Sequence, residues 1–572
     1  PEQDVGGKDN KRSDELRIRA SNLELAGLEG VRPLAAKLSP ALGDVWRSTQ
    51  PSGKINTLAL DIPLQAADKT RFQASWSDLA WKQWKLLPGA EHFSGTLSGS
   101  VENGLLTASM KQAKMPYETV FRAPLEIADG QATISWLNND KGFQLDGRNI
   151  DVKAKAVHAR GGFRYLQPAN DEPWLGILAG ISTDDGSQAW RYFPENLMGK
   201  DLVDYLSGAI QGGEADNATL VYGGNPQLFP YKHNEGQFEV LVPLRNAKFA
   251  FQPDWPALTN LDIELDFIND GLWMKTDGVN LGGVRASNLT AVIPDYSKEK
   301  LLIDADIKGP GKAVGPYFDE TPLKDSLGAT LQELQLDGDV NARLHLDIPL
   351  NGELVTAKGE VTLRNNSLFI KPLDSTLKNL SGKFSFINGD LQSEPLTASW
   401  FNQPLNVDFS TKEGAKAYQV AVNLNGNWQP AKTGVLPEAV NEALSGSVAW
   451  DGKVGIDLPY HAGATYNVEL NGDLKNVSSH LPSPLAKPAG EPLAVNVKVD
   501  GNLNSFELTG QAGADNHFNS RWLLGQKLTL DRAIWAADSK TLPPLPEQSG
   551  VELNMPPMNG AEWLALFQKG AA

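Results

Sequence analysis

The sequence predicts a mainly β chain with short amphipathic helices, an elongated and continuous assembly of repeating units, and three observations carry that prediction. Short alternating strands are punctuated by Gly, Asn and Asp turns, as in LDIELDF at 261–267 followed by Asn269, Asp270 and Gly271. A heptapeptide recurs as LALDIPL at 58–64, LHLDIPL at 344–350 and VGIDLPY at 454–460, with a weaker echo, QLFPY, at 227–231. RNAKFAFQPDWPALTNLDIELDFIND (245–270) aligns without gaps on RNNSLFIKPLDSTLKNLSGKFSFING (364–389), nine of 26 positions being identical. Units of this kind rarely stand alone, because each leaves an apolar sheet face for a neighbour or a ligand to cover.

Each element follows from its pattern. In the heptapeptides the apolar residues sit two apart, as Leu58, Leu60, Ile62 and Leu64 do, so one strand face is apolar. Asp61, Asp347 and Asp457 alternate with them and belong to the opposite, solvated face. Pro63, Pro230, Pro349 and Pro459 cannot donate to a neighbouring strand, which assigns them to edges, bulges or strand ends. Pro230 and Pro349 are 119 residues apart, the offset of the aligned blocks. FSGTLSGSVENGLLTAS (93–109) and LSGKFSFINGDLQSEPLTAS (380–399) form a third, gapped echo.

Upstream of every Pro motif, apolar residues at helical spacing predict a short helix with one apolar stripe: Leu34, Leu38, Leu42 and Val45; Leu202, Leu206 and Ile210; Leu323, Leu327, Leu331 and Leu334; Leu436, Val440 and Leu444. The stretch PWLGILAGISTDDGSQAWRYF at 173–193 reads as a helical insertion. The expected organisation is a first unit over 1–172, the insertion and a leading helix over 173–212, a second unit over 213–321, a third over 322–435 and a fourth with a C-terminal segment over 436–572.

Composition narrows the function classes. The 572 residues carry 52 Lys and Arg against 69 Asp and Glu, a formal net charge of −17, which is a poor footprint for phosphate backbones and argues against nucleic-acid binding. With no cysteine, disulfides and Cys-ligated metals are excluded, and a thiol-free chain of this length suits the periplasm or a cell surface. The chain opens at Pro1 on a polar stretch without a signal peptide or a membrane-length apolar run, and reads as a piece of a longer polypeptide whose anchor lies elsewhere.

No reactive cluster emerges, so no catalytic residue, metal or cofactor is expected and the chain reads as a non-enzyme. The seven histidines, His92, His158, His233, His345, His461, His480 and His517, are scattered without ligand spacing. DADIKG at 304–309 opens like a calcium loop but places Lys308 and Gly315 where oxygen ligands belong. GPGKAVG at 309–315 has the wrong glycine spacing for a dinucleotide loop and runs into Pro316. Trp76, Trp81 and Trp84 suit stacking on sugars or, more commonly, packing beside strands.

The ordered recurrence of amphipathic helix, GKINTLALDIPL or GDVNARLHLDIPL, GEVTLRNNSLFIKPL and LSGKFSFINGD resembles the AsmA-like family of bacterial envelope proteins, and the stretch YFPENLMGKDLVDYLSGAIQGG with LFPYKHNEGQFEV extends the resemblance over nearly the whole chain. It implies a bridge-like lipid transfer protein of the periplasm. Its long twisted β-sheet would curl into an open groove that carries phospholipid between inner and outer membrane and supports outer-membrane lipid homeostasis. The anchoring inner-membrane helix and the contacts with both membranes fall outside this sequence, envelope proteins are possible partners, and no cofactor is implied.

In that reading Leu58, Leu60 and Ile62, then Leu261, Ile263, Leu265 and Phe267, then Leu344, Leu346 and Ile348, then Phe384 and Phe386, and finally Val495, Val497 and Val499 supply one lipid-binding lining. The same residues also suit the core of a closed sandwich. Extension separates the two: about 35 strands at ~4.8 Å would run roughly 170 Å. A charge at Ile348 or Phe386 is expected to block transport and spare the fold. The alternatives are a repeat-built envelope scaffold or adhesin binding protein or glycan and, third, an envelope glycan hydrolase, neither of which would carry lipid.

Overall fold

Alternation of apolar and polar residues along strands of four to fifteen residues builds one 30-stranded sheet in the computed structural model. The structure describes residues 14–571 apart from 34, 35, 37–39, 86, 372 and 373, so the stripe residues Leu34 and Leu38 lie outside the described residues, as do the side chains of Leu42 and Leu327. Successive strands pair antiparallel as a meander from Glu15–Glu24 to Leu528–Ala536. Gly550–Asn554 adds a parallel strand at the end. Two places are filled by collinear pairs, Leu334–Asp337 with Asp339–Pro349 and Asp390–Ser393 with Leu396–Trp400.

The sheet is open: among the described residues, Glu15–Glu24 and Gly550–Asn554 each pair on one side alone. Stacking at about 4.8 Å per strand gives it a length of roughly 130 Å. Its accessible surface is 32484 Å², whereas a compact monomer of 61.9 kDa exposes about 20,000 Å². That excess excludes a closed sandwich as the general architecture.

Because the strands alternate in direction, the helix-bearing connections leave and re-enter the sheet on a single rim. Pro40–Thr49 joins Glu15–Glu24 to Ser52–Pro63, and Glu195–Met198 with Lys200–Ala209 joins Trp174–Thr183 to Ile210–Gly224. Val314–Phe318 and Ala329–Glu333 precede Leu334–Asp337, and Glu438–Ala443 follows Ala417–Trp428. Ile210, Leu334 and Leu444, read from the sequence as helical, each begin the following strand instead. The opposite rim carries turns, and there Pro63, Pro349 and Pro459 end their strands. QLFPY departs from the strand pattern: Pro226–Leu228 is a 3-10 turn, after which Tyr231 is fully buried beside Tyr222 and Phe229.

The 119-residue repeat is written into the backbone. Asn246 and Asn365, Asn260 and Asn379, and Asn269 and Asn388 are left-handed with φ of 50° and 52°, 51° and 53°, and 52° and 53°. Asn tolerates that region through its short polar side chain. The register breaks recur too, between Leu244 and Ala247 in one block and Leu363 and Asn366 in the other.

A further expectation is corrected. The stretch 173–193 is not helical at its start: Trp174–Thr183 is a strand paired on both sides, and the 3-10 segment Gly186–Tyr192 follows. A short apolar run cannot be assigned by periodicity alone, and here Gly176, Gly180, Ile177 and Ile181 disfavour a helix while two partner strands saturate the backbone.

Candidate functional site

Residues opposed across an antiparallel pair project from the same face of the sheet, so register alone tests whether the apolar residues of distant strands share a surface. They do. Leu58 faces Ala20 and Ala74, and the row continues through Leu97, Leu106, Ile134, Gly147, Phe163, Ile177 and Tyr222. One step along, Ala179, Leu220, Val240 and Phe267 are opposed in succession. Leu265 then meets Met274, Ala291, Ile303 and Leu346 follow, and Leu344 meets Gly359 and through it Phe386. Phe384 touches Phe409 with ring centroids 5.5 Å apart, and Phe409, Val422, Val454, Val468 and Val499 complete the run.

All fifteen lining residues expected from the sequence therefore lie on one face, but in two environments. Leu58, Leu60, Ile62, Phe267, Leu344, Leu346, Phe384, Phe386, Val495, Val497 and Val499 are half-buried. Leu261, Ile263, Leu265 and Ile348 are buried, at 1%, 4%, 3% and 0% exposure. The chain itself covers them: Leu202, Val203, Leu206 and Ala209 of the helix Lys200–Ala209 pack into the same cluster as Leu261, Ile263, Leu265 and Met274.

Beyond Phe267, Phe384 and Phe386, this face carries aromatic rings that the sequence reading does not single out, among them Phe72, Trp136, Phe506 and Trp522. The Trp136 ring lies over Gly104, where an added Cβ would stand 2.1 Å from the indole, and it stacks on Phe72 with centroids 6.1 Å apart. Phe386 lies across Gly359 in the same way, and Phe506 stacks on Trp522 at 6.0 Å. Their signal was present as an aromatic in phase with the strand alternation and opposite a glycine. Near the turn rim an open concavity of about 1030 Å³ takes its lining from both alternations of the sheet, Phe386, Leu391, Val420, Ile456 and Tyr466 from the apolar rows and Gln392, Ser410 and Asn467 from the polar ones.

The other face is polar. Arg19 pairs with Asp61 at 2.8 Å, Arg164 with Asp146 at 2.7 Å, Arg343 with Asp306 at 3.4 Å and Lys300 with Asp347 at 3.7 Å. Exposed pairs of this kind contribute about 0.2–1 kcal/mol each. The calcium-like stretch at 304–309 is ordinary strand, with Asp304 opposite His345. Trp76 stacks on Phe93 at 6.0 Å and Trp81 meets it edge-on, so two of the three clustered tryptophans pack against a neighbouring strand. Among the described residues no three His, Asp or Glu side chains converge as metal ligands, and no helix is long and apolar enough to cross a membrane.

The family described as YhdP protein matches residues 1–572. The chain is 99% identical over 572 residues to a protein of Escherichia coli (strain K12) described as the intermembrane phospholipid transporter YhdP, and it spans 45% of that relative's length.

Proposed function

This chain belongs to the YhdP family, and we propose that it is a stretch of a periplasmic bridge whose apolar sheet face carries phospholipid acyl chains between inner and outer membrane. The observation that supports this most is the run of opposed residues from Ala20 to Val499, apolar side chains interrupted by Gly147 and Gly359, along one face of one open sheet. A diacyl lipid with about 30 methylenes would cost roughly 24 kcal/mol to carry bare through water, at ~0.8 kcal/mol per methylene. A continuous apolar floor removes most of that cost, and similar contacts strand after strand keep neighbouring positions close in energy. The headgroup stays in solvent, consistent with a rim that offers turns rather than a phosphate loop.

The helix-led units, divided at 172, 212, 321 and 435, fit this role as repeats that each add floor to the same track. Outer-membrane lipid homeostasis and contacts with membranes or envelope proteins belong to the longer protein. Purified chain extracted and examined by mass spectrometry should contain phospholipid, and Leu60→Asp should lower the amount. Absence of lipid from the unsubstituted chain would turn the reading toward a repeat-built envelope scaffold or adhesin.

A further inference from the structure

The segment 186–209 runs over the apolar face instead of staying on the helix rim. On the helix-rim side the Tyr192 hydroxyl donates to the Lys155 carbonyl and Arg191 lies 3.7 Å from Glu126; further along, the Glu195 amide donates to the Val120 carbonyl at 3.0 Å. Near the turn rim Phe193 packs on Phe267 with ring centroids 6.1 Å apart, and Asp201 lies beside Glu299 in the turn 294–299 and raises its carboxyl pKa. The helix Lys200–Ala209 then returns to the helix rim, where the Tyr205 hydroxyl donates to the Phe251 carbonyl at 2.7 Å and the Ala250 amide to the Ala209 carbonyl at 2.8 Å. Beneath it Leu265, Met274, Ala291 and Ile303 are dry, while the same face is half-exposed at Leu60 and Val497.

We infer that the helix Lys200–Ala209 occupies the lipid path as a built-in substitute for acyl chains, dividing the floor into two separate lipid-binding stretches that join when the helix lifts. The inference rests on the lipid-track reading. Leu202, Val203 and Leu206 stand where lipid methylenes would lie, so a lipid that displaces them keeps the floor dry: the change is an exchange of apolar contacts, not their loss. The hold on the helix is polar and local. Arg122 reaches Glu195 at 2.9 Å, Asp204 at 2.7 Å and the Lys200 carbonyl at 3.2 Å.

The test uses the 572-residue chain and phosphatidylethanolamine–phosphatidylglycerol vesicles doped with a diazirine-bearing acyl chain, with labelled peptides mapped after photolysis. A chain without native cysteine lets Val120→Cys with Glu195→Cys form a single crosslink across the backbone contact that already exists. In the unsubstituted and the oxidised double-Cys chains, peptides covering 52–63 and 494–502 should be labelled at least tenfold more than those covering 261–305. Reduction of the double-Cys chain, or Arg122→Ala, should raise central labelling at least fivefold without a change in circular dichroism. Central labelling equal to the flanks in the oxidised chain overturns the inference and leaves the track standing. A centre that stays unlabelled after reduction and in Arg122→Ala makes the helix a fixed partition and overturns the lifting. No label on any part of the apolar face removes the track reading itself.

Discussion

Phe193 rests its ring against Phe267, centroids 6.1 Å apart, and so brings a residue from a helix-rim connection onto the apolar face of a strand 74 positions further along. The contact marks where that face stops being a half-exposed floor and becomes an ordinary core, with Leu202, Leu206, Leu261 and Leu265 closing behind it. Two positions of identical alternation, Leu60 and Ile263, thus carry different energetic weight.

Ile263→Ala should cost about 2–4 kcal/mol, since its 4% exposure leaves a cavity that the covering helix cannot fill without moving. Leu60→Ala, half-buried, should cost about 1 kcal/mol. Because a repeat-built sheet need not unfold in a single step, hydrogen exchange is the suitable measurement. Protection should fall across 258–305 for the first substitution and stay unchanged outside 52–81 for the second.

The same contrast separates Phe386→Asp from Ile348→Asp. Phe386 is half-buried and lines the open concavity, so a carboxylate there stays hydrated in the empty chain and repels acyl chains. Bound phospholipid should drop at least fivefold with far-ultraviolet circular dichroism unchanged. Ile348 is fully buried, and an unpaired carboxylate at such a site carries a desolvation penalty of several kcal/mol. That variant should lose protection around 339–349 whether or not lipid is present, which makes it a test of the fold rather than of transport.

Gly104→Leu tests the paved floor. Its Cβ would meet the Trp136 indole at 2.1 Å, and the indole is stacked on Phe72. The ring must swing away, at a cost of about 1–3 kcal/mol. Tryptophan emission should shift to the red and lipid uptake should fall. An unchanged spectrum would mean that the leucine is accommodated by strand movement instead.

Much of this architecture was legible before any coordinates. The 119-residue repeat appears as matched Asn246 and Asn365 with nearly the same φ, and alternation placed Leu58, Leu261, Leu344 and Val495 in phase although their strands are far apart. What alternation cannot convey is cover. Whether Ile263 faces lipid or Leu206 depends on where a ten-residue helix is laid down, a tertiary choice fixed by Arg122, Tyr205 and Phe193 contacts rather than by spacing. The apolar run at 174–183 was ambiguous for a related reason, since its strand identity is conferred by partners at 157–168 and 210–224. Nor does alternation convey that Trp136 lies over Gly104 and Phe386 over Gly359, because ring and glycine stand on different strands.

On the solvated face Asp266 lies between Leu241 and Trp273 in the register, and burial, followed by the hydrogen bond and charge of Glu239, pushes its carboxyl up to about 7. A raised carboxyl means that the folded chain holds the proton more tightly than the unfolded chain. The stability this confers is complete below the ordinary carboxylate range and is lost as pH rises through about 7. Asp266→Asn stays neutral throughout, so it should raise the unfolding temperature relative to the parent at pH 8 and leave it nearly unchanged at pH 4. Equal gains at both values would assign the effect to packing beside Trp273.

Extension is the quantity on which the sheet's role as a track finally depends. A rod of roughly 130 Å built at ~4.8 Å per strand has a radius of gyration near 40 Å, whereas a compact chain of 572 residues would give about 25 Å. Small-angle scattering on the purified chain should return the larger value, and it should do so in the oxidised and the reduced double-Cys forms alike, because lifting one helix of 15 Å (ten residues at 1.5 Å each) changes the cover and not the span. A value near 25 Å would mean that the apolar face closes on itself in solution, leaving Leu60 and Val497 as core and no floor for an acyl chain to follow.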